Sequence, residues 1–243
     1  MTGNKSSRAW PWRRLANALA TPAMLSALIS FGTASPTAAD ASAQLSYRVT
    51  HSVFGEIGTY TNTLETARDG VTVRTRAHFE VRMLGVRMYH EDAERTERWQ
   101  ANRLISFHGI TDKGDGPAVV SGEARGDSFI ITSPHGTVTA PASVHPANPW
   151  SANFLSSDTM MRPDTGKIER VRVSGGQETA LNIEGTAVPV RRYEVNGATR
   201  YTVWLDAHDV PVMFLIDDDT GKVTFTLAKC VPCAPVVSQL GAR

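Results

Sequence analysis

The sequence has no basic block, no Gly-rich phosphate loop, no His-Glu-x-x-His or Gly-x-Ser-x-Gly motif, and only two cysteines. The missing motifs leave phosphate-loop enzymes, zinc proteases of that type and nucleophile-elbow hydrolases without support. Charge is balanced, with 25 bases against 24 acids. A near-neutral chain without a basic stripe argues against nucleic acid and against electrostatic adhesion to anionic membrane. No segment reaches the roughly 20 strongly apolar residues of a spanning helix. The longest apolar run, Leu15 to Phe31, is broken by Asn17, Thr21 and Pro22.

What is present begins with an export signal. Lys5, Arg8, Arg13 and Arg14 precede that apolar run, and small-residue sites follow at Thr37-Ala38-Ala39 and Ala39-Asp40-Ala41. This is the layout of a secretory leader, cleaved near Ala39 to Ala43. Trp12-Arg13-Arg14-Leu15-Ala16-Asn17 matches the twin-arginine pattern poorly, so export in the unfolded state is expected. Losing Lys5, Arg8, Arg13, Arg14 and Asp40 leaves 21 bases and 23 acids, a net charge of about −2. The expected product is a periplasmic or secreted protein with one β-rich domain over residues 44–229 and a tail over 230–243. Neither Cys230 nor Cys233 lies near the end of the leader, so no lipid anchor is expected. In an oxidising compartment Cys230-Val231-Pro232-Cys233 suits a small local disulfide. A thioredoxin-like centre would need a helix starting at the motif within a βαβ unit, and this motif follows a strand.

From Gln44 onward, short alternating runs are punctuated by Gly, Asp and Pro every 8 to 12 residues or so, the pattern of antiparallel sheets. The clearest run is Val71 to Met83, with Val71, Val73, Thr75, Ala77, Phe79, Val81 and Met83 on one face and Thr72, Arg74, Arg76, His78, Glu80 and Arg82 on the other. About a dozen strands result. Pro149 to Met161 departs from the pattern: Asn148 as cap, Pro149 at the first helical position, and Trp150, Phe154 and Leu155 at helical spacing predict one helix. The proline-rich approach from Pro141 to Pro149 reads as a crossover between two groups of strands.

Tyr47-Arg48-Val49 with Gly55-Glu56-Ile57-Gly58, then Glu97-Arg98-Trp99-Gln100-Ala101-Asn102-Arg103-Leu104, then Trp204-Leu205-Asp206 with Gly221-Lys222-Val223, occur in an order that resembles families of exported bacterial β-proteins of unknown function. The resemblance spans nearly the whole mature chain and extends to sheets of the periplasmic lipoprotein-carrier type. It implies an all-β fold: one highly curved antiparallel sheet, a clam, spiral or half-barrel, with a short helix in its concavity. It transfers no catalytic residue.

The segment Val86 to Trp99 carries Tyr89, His90, Glu91, Asp92, Glu94, Arg95, Glu97 and Arg98, and neither face is apolar. A two-residue hairpin at Leu84-Gly85 would set Phe79 opposite His90, Ala77 opposite Asp92 and Thr75 opposite Glu94, on the apolar face. His90, Asp92 and Glu94 would then line an interior and bind a polar ligand. A bulge would turn the same row to water. Three residues spread over about 13 Å of one strand cannot reach a single ion, so no metal is expected there. On the helix, Trp150, Phe154 and Met160 either plug the core or wall an apolar cavity. The expectation is a binding or envelope-maintenance protein that is not an enzyme. It has no catalytic residue or cofactor, and it holds an amphipathic envelope molecule between the apolar set and the polar row. The alternatives are an envelope protein-interaction factor working through strand edges or the CxxC tail, and a carboxylate hydrolase dependent on Glu94.

Overall fold

The computed structural model describes residues 41–183, 185–218 and 221–232. Residues 1–40, where a leader is expected, and residues 233–243, including Cys233, lie outside the described residues. Cys230 is held in a disulfide.

Eight strands follow one another as an antiparallel meander: β1 (Ala41–His51), β2 (Gly55–Ala67), β3 (Gly70–Met83), β4 (Val86–Gln100), β5 (Arg103–Asp112), β6 (Pro117–Arg125), β7 (Ser128–Ser133) and β8 (Gly136–Pro141). Three short strands come next, β9 (His145–Pro146), β10 (Thr159–Met161) and β11 (Ile168–Arg170). A second meander closes the order: β12 (Arg172–Ile183), β13 (Thr186–Asn196), β14 (Arg200–Leu205), β15 (Pro211–Asp218) and β16 (Gly221–Val231). β16 pairs with β1, with Val49 opposite Phe225 and Leu45 opposite Cys230, so both meanders fuse into one 13-stranded antiparallel sheet. Its edges are β8 and β12, and it is not closed. This is the expected single curved sheet. Bulges at Ser46/Tyr47, Val49/Thr50, Val81/Arg82, Arg98/Trp99 and Trp204/Leu205 increase the local twist and help it curl.

One face of the sheet carries the core. Leu45, Tyr47 and Val49 on β1, Leu64 on β2, Val73 on β3, and Phe129 and Ile131 on β7 are buried, at period-2 spacing where one strand supplies several; on β5 the bulge at Ile105 puts Leu104 and Phe107 on the same face. Residues 142–171 do not fill the gap between the edges. They run along the concave side as a small sheet ordered β11-β10-β9, with Val144, Trp150, Phe154, Met160 and Met161 buried.

The helix expected over Pro149 to Met161 is one 3-10 turn, Ala152–Ser156, capped by the Ser151 hydroxyl. Asn148 is spent elsewhere, on the sheet. Ser157 ends the turn in extended geometry and hydrogen-bonds the Ser143 carbonyl at 2.6 Å, and Thr159–Met161 pairs with β9 and β11 instead. Short polar side chains that bond nearby backbone compete with helix in this way. The helical spacing of Trp150, Phe154 and Leu155 reflects their packing against the core from an irregular backbone.

Gly58 shows how closely the meander is packed. Its φ is +153°, and a Cβ there would sit 1.9 Å from the carbonyl oxygen of His78 on β3. Gly58→Ala is therefore expected to force β2 and β3 apart and cost about 3 kcal/mol. At roughly 2–4 °C per kcal/mol for a domain of this size, the melting temperature falls by about 6–12 °C, which differential scanning calorimetry checks.

Candidate functional site

Leu84 and Gly85 do form the tight turn, with φ of +52° and +81°. The pairing expected beyond it does not hold. Arg82 pairs with Arg87 but Val81 pairs with Tyr89, which leaves Met88 as an extra residue in β4. From there Phe79 faces Glu91, Ala77 faces Ala93 and Thr75 faces Arg95. The concave face of β4 is thus Glu91, Ala93, Arg95, Glu97 and Trp99, all buried, while Asp92 and Glu94 are exposed on the convex face with His90. Trp99 decides the register: burying an indole gains about 4–6 kcal/mol by area, and the alternative register buries no aromatic side chain from β4.

Glu97 is the centre of a buried polar network. The indoles of Trp99 and Trp150 both donate to its Oε2, at 2.9 and 3.1 Å, and Asn148 Nδ2 donates to its Oε1 at 2.7 Å. Asn148 Oδ1 in turn accepts from Tyr60 at 2.7 Å and from Asn62 at 3.2 Å, and Thr75 donates to Asn62 Oδ1 at 2.7 Å. The plug is therefore tied to β2, β3 and β4 through one asparagine and one glutamate. Burial pushes the Glu97 carboxyl up to about 7, against the three N–H donors that favour its ionised form. Nearby, His145 stands edge-on to Trp99 at 4.8 Å, and burial lowers its imidazole to about 4.

Next to this network a cavity of about 500 Å³ opens between β1–β4, β14–β16 and the plug. Its floor is aromatic. Phe214 and Phe225 stack at 4.2 Å, with Tyr60 and Phe79 edge-on to Phe225 at 5.3 and 6.0 Å. Its side wall is a chain of charges. Arg95 lies 3.5 Å from Glu91, Lys113 lies 3.6 Å from Glu91 and 3.1 Å from Asp164, and Arg162 binds Asp164 through two nitrogens at 3.3 Å. Burial would raise the Asp164 carboxyl, but Arg162 and Lys113 overcome it and hold the group down at about 2. Three cations meet two carboxylates, and Arg95 Nε is buried without a hydrogen-bond partner. The mouth lies by two hairpin tips, where Val53, Phe54, Leu84, Val86 and Met88 are exposed, Leu84 at 99%.

The sequence-selected residues fall elsewhere. Trp150, Phe154 and Met160 are buried in the plug, Phe154 edge-on to Tyr201, and none of the three lines the cavity. Glu94 pairs with Arg76 in the open, at 3.1 Å, so no desolvated carboxylate suited to acid–base work stands there. His90 and Asp92 lie 3.1 Å apart on the convex side. Glu91, Arg95 and Glu97 share the buried face of β4 instead, and the sequence signal for that face is their alternation with Ala93 and Trp99.

A β-barrel-like protein of the domain of unknown function DUF1849 from Brucella abortus has a similar crystal structure: TM-score 0.60, 12% identity, covering 78% of this chain and 96% of that one. At that identity the likeness is one of fold. No functionally curated protein matches the chain. Residues 47–228, from β1 into β16, match the domain of unknown function DUF6134, and the chain belongs to that family.

Proposed function

We propose that this protein is a binder or carrier of an amphipathic anion, a molecule with an acyl chain and a carboxylate or phosphate head. The observation behind this reading is one cavity that joins a stacked aromatic floor to a wall of three cations and two carboxylates, in which Arg95 and Glu91 are buried and Lys113 and Arg162 reach towards solvent. Acyl chains gain about 0.8 kcal/mol per buried CH₂, and a guanidinium with an unused N–H is a donor for an oxyanion. The apolar hairpin tips at the mouth let a chain enter without crossing a charged rim. The envelope role and the exported location are parts of the same reading, supported by the leader.

Titration with a fluorescent long-chain fatty acid tests it. The expected result is saturable 1:1 binding, and at least about tenfold weaker binding of the methyl ester, because one charge-assisted contact is worth about 1.5–3 kcal/mol. Equal affinity for acid and ester would remove the charged wall from the account.

A second reading, a protein-interaction factor, draws on the open sheet edges. Among the described strands β8 pairs only with β7 and β12 only with β13. Such edges can take an added strand. Crosslinking that captures one reproducible partner through β8 or β12 favours this reading.

A further inference from the structure

The convex face of the β3–β4 ribbon, on the other side of the sheet from the cavity, gathers a different chemistry. Antiparallel pairing sets His78 opposite Asp92 and Glu80 opposite His90, so two imidazoles and two carboxylates alternate in a two-by-two patch. The same bulge that buries Glu97 builds this patch, because without it His78 and Asp92 would not be partners. His78 Nδ1 lies 2.6 Å from Asp92 Oδ1, and His90 Nε2 lies 3.1 Å from Asp92 Oδ2. One ligand atom from each of His78, His90 and Asp92 lies within 4.8 Å of the other two.

We propose that His78, His90 and Asp92 form a three-residue binding site for a borderline transition-metal dication such as Zn²⁺, with water completing the coordination. Zn²⁺ takes nitrogen at about 2.0–2.1 Å and carboxylate oxygen at about 2.0–2.2 Å, which in a tetrahedron puts ligand atoms roughly 3.3–3.5 Å apart. The contacts of 2.6 and 3.1 Å need only small side-chain rotations to reach that spacing. A simple His–Asp hydrogen bond accounts for the first imidazole. It does not account for a second imidazole brought to the same carboxylate, whose remaining nitrogen, His90 Nδ1, is buried without a partner. Two imidazoles and a carboxylate suit Zn²⁺, Ni²⁺ or Cu²⁺; Mg²⁺ and Ca²⁺ demand oxygen. Glu80, across the ribbon from His90, is held by Arg82 at 2.6 Å and stands outside the three-residue set. The strands tied by such an ion also carry Phe79, Val81, Met88, Tyr89 and Glu91 along the cavity, so the metal would stiffen the ribbon beside the mouth.

The test is calorimetric titration of the untagged, disulfide-oxidised mature protein with Zn²⁺, alongside H78Q, H90Q, D92N and a same-face control, E94Q. One Zn²⁺ per chain is expected. Affinity should fall at least roughly ten- to a hundredfold in H78Q, H90Q and D92N and stay within about threefold in E94Q. Co²⁺ substitution should give the strong visible bands of a tetrahedral ion, lost in H90Q. Circular dichroism confirms that each variant is folded. Absence of saturable 1:1 binding by the wild type, or equal binding by H78Q, H90Q and D92N, overturns the proposal. Because the site and the cavity lie on opposite faces, H90Q should still bind fatty acid, which keeps the two claims separable.

Discussion

Glu97→Leu is expected to destabilise the domain by about 3–5 kcal/mol, lowering the melting temperature by roughly 10–15 °C. Leucine fills most of the volume but accepts nothing, so the indole N–H groups of Trp99 and Trp150 and one amide N–H of Asn148 lose their acceptor together. Each buried orphan costs about 1–3 kcal/mol, and release from burying a carboxylate returns only part of that. Glu97→Gln is milder: its oxygen keeps both indoles, but its amide then faces the Asn148 amide donor. Turning Asn148 over to compensate would break its bonds from Tyr60 and Asn62. A thermal melt that moves by less than about 3 °C in E97L would show that the network does not hold the plug.

The same residue sets a pH dependence of definite sign. With a carboxyl at about 7 in the folded chain and near 4.5 when unfolded, Glu97 contributes stability that is whole below pH 4.5 and lost as pH rises to about 7. His145 works in the opposite sense. Its imidazole, at about 4 folded and near 6.5 unfolded, contributes stability that is whole above pH 6.5 and lost as pH falls towards 4. The two nearly cancel, so wild-type stability is expected to be flat between about pH 4.5 and 6.5. Urea unfolding of E97Q should reveal the histidine slope alone, with stability falling on acidification across that window. A flat E97Q profile would contradict the assignment.

The fold was legible because period 2 runs from β1 to β7 almost without interruption and turn residues mark the hairpins. The leading site candidate was not, for one physical reason. A single extra residue at Met88 exchanges the two faces of β4, and nothing in the local sequence of Arg87-Met88-Tyr89 announces a bulge. Trp99, eleven residues on, did carry the information, since burying its indole outweighs anything the opposite face of β4 offers. The plug misled in another way: a short, mostly buried segment shows apolar residues at helical spacing whatever its backbone does. The charge wall brings together β4, the start of the β5–β6 turn and the loop after β10, contacts that only the tertiary fold creates.

Ile216→Trp has the largest expected effect on binding. Ile216 is half-buried on β15, lines the cavity and pairs with Tyr201 and Val223. An indole there projects into open space, so stability should change by less than about 1 kcal/mol while the volume for an acyl chain is lost. Fatty-acid affinity is expected to fall by more than about thirtyfold, the equivalent of two or three buried CH₂ groups. Arg95→Met acts on the other end of the ligand: it should weaken the acid by roughly ten- to a hundredfold and leave the methyl ester unchanged. Weakening of acid and ester by the same factor would mean that Arg95 shapes the cavity and does not meet a head group.

The most direct measurement is native mass spectrometry of the protein expressed from its full 243-residue sequence and purified without detergent, before and after denaturation. The account predicts a discrete extra mass on the wild type that disappears on unfolding and is absent from I216W. A bare wild-type mass, or the same adduct on I216W, would contradict it.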